Sequence, residues 1–490
     1  MRRKISVVSR VDAVYDSSMD NVDNKDDPQF TMEGLAAGRE EATCQASREA
    51  APVPCQSPVR LRTPERRQLE WVPRCLDDLV SPEHPVRRIA QVVEHLDLSA
   101  FYQPIKAREG VRGRDTTDPK LLVALWLYAC VRGIGSAHEL ERQCKENIAF
   151  LWLLGGVTVN HHLLSDFRVD CGSALDQLLT QVIASLVDQG VVKVSRISPD
   201  GVRVRVGAGA SSFRREERLE KLLEQAKQHV RALQEELDSP AVRAKLTAQQ
   251  RAARQRAAKE KQQRLEEAIA QLPELKRRQE EAAQRAGQGE SGKKIRAKQP
   301  RVSTTDAEAR VMKMSNGGYN PAVNVQLATD TESRAIVGVQ VSNEGSDSAG
   351  LSSPMRQQVE ERASSEVNEH LMDGGYLQME DIEQAHQQGV AVYVPPKPAR
   401  NPQKRGRELE PKAGDSEAVR AWKQRMSSAA GKEIYRQRAA SSETVNADLR
   451  TWRGLSRLPV RGLAKARCIA LWCAVAYNIM HFAPYLVGRL

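Results

Sequence analysis

Residues 371–376 read LMDGGY, and residues 377–396 continue LQMEDIEQAHQQGVAVYVPP. An apolar segment running into a carboxylate, two glycines, a helix-like segment and a second apolar run is the pattern of strand, turn, helix and strand. Asp373 then stands at the C-terminal end of the first strand, and Gly374-Gly375 lets the backbone turn sharply behind it. Open α/β sheets place their ligands at that edge. Taken alone, D-G-G reads first as a capped turn. Its meaning depends on what the rest of the chain brings to it.

The chain has 490 residues, of which 40% are hydrophobic and only 4% aromatic, and its formal net charge is +11. That length predicts two to four domains, and the basic excess points to a polyanionic partner, nucleic acid before a membrane surface. The eight cysteines contain no C-x-x-C pair, which argues against a disulfide framework or a cysteine zinc site and for reduced thiols. The longest apolar runs, Leu121 to Val131 and Cys468 to Tyr477, are too short to span a membrane and read as core helices. The basic start MRRKISVVSR lacks the apolar stretch of a signal peptide. A soluble protein of the cytoplasm is expected.

Residues 1–65 are polar and without periodicity and read as a disordered leader. Residues 66–190 carry helical patterns throughout, with Pro85 and Pro119 at first-turn positions and Gly155-Gly156 as a stop, the composition of an all-α domain able to read DNA. Period-2 alternation in VVKVSRISPDGVRVRVG marks a strand or hairpin carrying Asp200. Residues 212–300 become charged, with leucines at helical spacing and a break near Asp238-Ser239-Pro240, and read as an inserted helical hairpin. Basic residues outnumber acidic ones two to one between Arg251 and Pro300, so this arm is also a candidate for phosphate contact. The sheet resumes with YNPAVNVQLATD and RAIVGVQVSN as a hairpin, then a helix, then the strand into Asp373. Residues 397 to about 428 read as a loop or lid, and an apolar helix closes the chain.

Strand, long insertion, hairpin, helix, strand, helix, strand, helix is the order of a ribonuclease-H-like mixed sheet, in which the first and fourth strands lie side by side. Segments 191–211 and 301–490 would compose it, bringing Asp200 and Asp373 together across 173 residues of sequence. Two adjacent carboxylates call for a cation, and hard oxygen donors without His or Cys select Mg²⁺ or Mn²⁺. Glu443 from the last helical region would complete a site for two ions roughly 4 Å apart. On an ideal α-helix Tyr435, Arg438, Glu443 and Arg450 fall within an arc of about 140°, so one face would carry an acid, a phenol and two guanidinium groups suited to phosphate oxygens. Asp330 and Asp347 fall on the wrong strands for this site. His161 and His162 are adjacent and expected to point apart, and Cys468 and Cys473 are five apart on a helix, so neither pair is expected to bind metal.

The set of Asp200 in S-P-D-G, NPAVNVQLATD, Asp373 in LMDGGY, and Y-x-x-R-x-x-x-x-E-x-x-x-x-x-x-R from Tyr435 to Arg450 resembles the bacterial insertion-sequence transposases of the DDE class. Within them it is similar to the branch with a long helical insertion after the first acidic strand and a V-R-G-L-x-K-x-R helix near the end, here VRGLAKARCIALWCAVAYN from Val460 to Asn478. The likeness covers about Leu69 to the C-terminus. It implies that Asp200, Asp373 and Glu443 are the catalytic, metal-holding triad. It also implies that Tyr435, Arg438 and Arg450 contact DNA, Arg450 standing where many relatives have lysine. By the same resemblance the partners are the element's terminal inverted repeats and target DNA, bound by a homodimer in the bacterial cytoplasm at the nucleoid. Two other accounts fit the same composition: a DNA-binding remnant that no longer cleaves, and a ribonuclease-H-like nuclease without strand transfer.

Overall fold

The computed structural model describes residues 75–107, 110, 115–345, 352–398 and 405–487. The leader expected at residues 1–65 and Asp347 lie outside them. After a 3-10 turn at Leu76–Leu79 come α1 (Pro85–His95), α2 (Ser99–Tyr102), α3 (Pro119–Val131), α4 (Ala137–Glu146), α5 (Ile148–Leu154), α6 (His161–Asp170) and α7 (Gly172–Asp188). Their starts are set locally. Asp118, Ser136, Asn147 and Asn160 accept backbone N–H groups at the first turns of α3, α4, α5 and α6, satisfying donors that the helices cannot pair internally. Gly155 ends α5 at φ 54°, the left-handed region that glycine enters without steric cost.

The sheet begins with β1 (Arg196–Arg205), which runs straight through S-P-D-G instead of turning there. Pro199 is tolerated because its nitrogen, lacking a hydrogen, faces away from the antiparallel partner, and the parallel neighbour pairs only with Arg196 and Ile197. An insertion follows: β2 (Phe213–Arg214), α8 (Glu216–Asp238), α9 (Pro240–Lys245), α10 (Ala248–Ala270), α11 (Leu272–Ala286), α12 (Glu290–Ala297) and β3 (Val302–Ser303). Strands β2 and β3 pair antiparallel and clip its root. Leu219 and Ala226 of α8 pack on Leu265 and Ala268 of α10 in a small core of their own. Ser239 separates α8 from α9, and Pro240 opens α9 at a first-turn position, where a proline that cannot continue α8 is tolerated.

Strands β4 (Arg310–Lys313), β5 (Tyr319–Asp330) and β6 (Ile336–Ser342) follow, then α13 (Ser352–Ala363), β7 (Glu369–Leu371), a 3-10 turn at Gly374–Tyr376, α14 (Met379–Gln387) and β8 (Ala391–Tyr393). Strand β5 lies between β1 on one side and β4 and β6 on the other, all antiparallel to it, while β1–β7–β8 are parallel. The first strand thus sits at the centre, flanked by β5 and β7. Helix α13 approaches β6 so closely at Gly338 that a Cβ there would lie 2.6 Å from Met355 Sδ.

The segment expected to be a loop or lid, residues 397–428, contains α15 (Glu417–Ser427). Ser416 caps it, and Val419, Trp422 and Met426 pack beside Leu371, Tyr376 and Val392. Lysines and arginines mask that apolar spacing in the sequence. Next come α16 (Ala429–Arg438), a π-helical turn at Ala439–Glu443, α17 (Thr444–Thr451) and α18 (Leu463–Leu486).

Helix α18 is longer than its apolar run suggests. Among the described residues it is the one helix of membrane-spanning length and hydropathy, and 78% of its most apolar window is buried inside the protein. One continuous core joins it to α1, α3, α7 and strands β1, β5 and β6. Asn478, fully buried on α18, accepts from Ile336 N–H and donates to Ile336 C=O, both at 2.9 Å, which fixes α18 against the start of β6. Trp472 donates its indole N–H to Arg168 C=O at 3.0 Å and ties the same helix to α6.

Candidate active site

Asp200 lies mid-way along β1, opposite Leu327 of β5, with its side chain 19% exposed. Its Oδ1 accepts from Arg438 Nη2 at 3.0 Å and its Oδ2 from Asn446 Nδ2 at 2.8 Å. Arg438 Nη1 also donates to Glu443 Oε1 at 3.1 Å. One guanidinium group, 11% exposed, therefore bridges two of the three expected acids.

The π-helical turn makes this bridge possible. Residues five apart on an α-helix are separated by about 140° around the axis, and their side chains do not meet. In a π turn the hydrogen-bond spacing is itself five residues, so Arg438 and Glu443 come onto one face. Ser441 and Ser442 donate their hydroxyls to Arg438 C=O at 3.1 and 3.0 Å, holding carbonyl groups that the wider turn leaves less well paired. Ser198 of β1 donates to Ser442 Oγ at 3.3 Å and docks the turn against the strand. The ideal helix assumed from sequence is corrected here: the acid sits beside the arginine because the helix departs from α geometry between them.

Strand β7 ends at Leu371, and Asp373 follows as the cap of the 3-10 turn, exposed, accepting from Gly374 N–H at 2.7 Å. Neither Gly374 nor Gly375 uses a positive φ, so the turn does not depend on the left-handed region. Asp373 is nonetheless part of the same electrostatic cluster. Burial works against the charge on Arg438, but Asp200, Tyr435, Asp373 and Glu443 together hold its pKa above the ordinary arginine value. Burial raises the phenol of Tyr435 on α16, Arg438 pulls it down, and Asp373, Glu443 and Asp200 push it up again. The structure thus gathers Asp200, Asp373, Glu443, Tyr435 and Arg438 in one place.

Arg450 does not join them. It is exposed on α17, and its Nη2 reaches Ser315 Oγ at 3.4 Å in the turn between β4 and β5. Sequence reasoning passed over Asn446, which is buried and holds the second oxygen of Asp200. Its position three residues after Glu443 on a helix was the available signal. Asp330 is buried and accepts from Ser333 N–H and Oγ at the β5–β6 turn, with burial raising its pKa, so it shapes the hairpin. His161 and His162 do not point apart: their ring centroids are 4.1 Å from each other.

Residues 291–479 match the family described as Transposase DDE domain, and residues 74–170 match Transposase domain (DUF772). The chain belongs to the insertion-sequence transposases of the DDE class. Asp373, Tyr435, Arg438, Glu443 and Arg450 of this transposase fall within the DDE-domain match. Asp200 and most of the helical insertion lie between the two matched segments. No curated protein and no solved structure matches the chain.

DDE transposase domains use divalent metal ions, and the donor set here fits one. Asp200, Asp373 and Glu443 offer only carboxylate oxygen, the ligand type of hard cations. They surround a buried guanidinium that supplies positive charge in the protein alone.

Proposed function

We propose that this transposase binds the terminal inverted repeats of its own element, hydrolyses a phosphodiester at each end and joins the freed end to target DNA. In the first step water oxygen attacks phosphorus and the P–O3′ bond breaks, leaving a 3′-OH. In the second that hydroxyl attacks a target phosphorus, displacing the target's own 3′ oxygen, which takes up the proton. Asp200 and Asp373 would hold one Mg²⁺ or Mn²⁺ ion, and Glu443 a second. Bound divalent ions would stabilise negative charge on the attacking and leaving oxygens. Arg438 orients Asp200 and Glu443 and, with Tyr435, faces the DNA backbone. Arg450, further along the helix, would contact the same strand beyond the cut.

The observation that carries this reading is the Arg438 bridge between Asp200 and Glu443, with Asp373 in the same field. A strand order with β1 between β5 and β7 supports a ribonuclease-H-like assignment for segments 191–211 and 301–490. We assign end recognition to the helical segment 66–190 and an auxiliary DNA contact to the insertion 212–300. Because two ends must be cut together, the acting species would be a homodimer assembled on DNA in the cytoplasm.

The test is cleavage of a supercoiled plasmid carrying the element's ends, with Mg²⁺, by wild type and by Asp373→Ala. Nicks at the ends that vanish in the variant while end binding persists support the proposal. Wild-type binding without cleavage in Mg²⁺ or Mn²⁺ would favour a DNA-binding remnant, and cleavage without joining a nuclease.

A further inference from the structure

Away from the carboxylates, His138 and Glu141 stand three residues apart on α4, so an imidazole and a carboxylate share one helix face. Helix α6 begins opposite them. His161 presents both its backbone N–H, at 3.2 Å, and its Nδ1, at 2.7 Å, to Glu141 Oε2. The rings of His138 and His161 stack with centroids 3.9 Å apart and planes 25° from parallel. One ligand atom from each of the three residues lies within 4.8 Å of the other two.

We propose that His138, Glu141 and His161 form a zinc site that pins α4 to the start of α6. Two imidazole nitrogens and one carboxylate oxygen suit zinc. Magnesium and calcium want oxygen alone, and soft ions want thiolates. Zinc–ligand bonds of about 2.0–2.1 Å in a tetrahedron require the three donors to close in slightly from their present spacing. The side chains of His161 and Glu141 are 30% and 20% exposed and can make that adjustment. The hydrogen on His161 Nδ1 moves to Nε2 as the metal enters, so the imidazole stays neutral and offers Nδ1 to zinc in place of its contact with Glu141 Oε2. Lys145 Nζ keeps its 2.8 Å contact with Glu141 Oε1, the other oxygen. Water completes the fourth position. The site is independent of the cleavage chemistry proposed above and clamps the loop that carries α5.

The test titrates metal-free, full-length protein with zinc alone, against a chromophoric chelator, and follows Tm. One zinc per chain is expected in wild type, in Asp373→Ala and in His162→Ala, unaffected by excess Mg²⁺. That zinc is lost in both His138→Ala and His161→Ala. Saturating zinc should raise the wild-type Tm by a few degrees and leave those two variants unmoved. X-ray absorption of the zinc-loaded wild type should show scattering from two imidazoles, a readout that needs no variant to fold. Equal zinc uptake by the His variants, no stoichiometric uptake by wild type, or an oxygen-only shell would each overturn the proposal.

Discussion

Arg438 and Glu443 are five residues apart in one continuous helical run, yet their side chains form an ion pair at 3.1 Å. The π turn at Ala439–Glu443 brings them together, and the same turn leaves Arg438 free to hold Asp200 on β1. The geometry of the proposed site thus depends on an interruption of regular helix, and such π turns recur at functional sites.

Removing Ala440 should therefore be tolerated better than adding a residue beside it. Deletion lets the run close into plain α-helix with arginine and glutamate four apart, still on one face. Insertion of one alanine turns the glutamate by about 100° away from Arg438. Plasmid cleavage should fall within about tenfold for the deletion and by more than about a hundredfold for the insertion, with the far-ultraviolet circular dichroism of both retained. Comparable losses in the two would show that the turn does not set the geometry.

Arg438→Met leaves Asp200, Asp373 and Glu443 together without their guanidinium. Breaking a largely buried pair costs on the order of 3 kcal/mol, so the metal-free variant should melt lower than wild type. Mg²⁺ or Mn²⁺ should restore more stability to the variant than it adds to wild type, because the ion then replaces the guanidinium that bridged Asp200 and Glu443. Thermal denaturation with and without the ion checks this. An identical ion response in the two proteins would place the ion elsewhere.

Asn446 donates to Asp200 Oδ2 at 2.8 Å, a contact that orients the carboxylate. Asn446→Ala should raise the Mg²⁺ concentration needed for half-maximal cleavage by roughly 10–100-fold, the usual cost of losing such a supporting contact. The cleavage rate at saturating ion should fall far less. Asn446→Asp, which replaces the donor with a repelling acid, should be worse than alanine, and a reversed order would count against an orienting role.

Much of this arrangement was readable from the chain because its signals are local. Proline at first turns and the Gly155-Gly156 stop marked the early helices, and alternation marked β5 and β6. The acids at 200, 373 and 443 stood out by residue type and context. What escaped notice depends on tertiary contact or on departures from ideal geometry. The strand passes through S-P-D-G because β7 stops short of Pro199, a fact about a neighbour 170 residues away. Trp422 is buried by Leu371 and Val392 on strands distant in sequence, while its own helix reads as basic and polar. The π turn has no residue signature beyond its serines, so the face of Glu443 could only be guessed from a regular helix. The same regular helix places Arg450 on the face of Glu443, whereas in the folded chain its guanidinium reaches Ser315.

His370 links the sheet to pH. It lies on β7, buried at 3% exposure, three residues before Asp373, and its Nε2 has no hydrogen-bond partner among the described residues. Burial, helped by Arg356, lowers its pKa to about 3. The folded chain therefore keeps His370 neutral while the unfolded chain protonates it below about pH 6.5. Its contribution to stability is complete above that value and is lost as pH falls toward 3, at a slope approaching 1.4 kcal/mol per pH unit. Carboxylates add their own acid sensitivity, so the difference between proteins is the informative quantity. Urea midpoints for wild type and His370→Gln should converge as pH falls from 6.5 to 4.5, with wild type losing about one proton's worth of slope more than the variant. Because β7 positions Asp373, cleavage by wild type should fail at a higher pH than its global unfolding. Parallel pH profiles for the two proteins would mean that His370 is protonated in the folded state and that burial does not govern it.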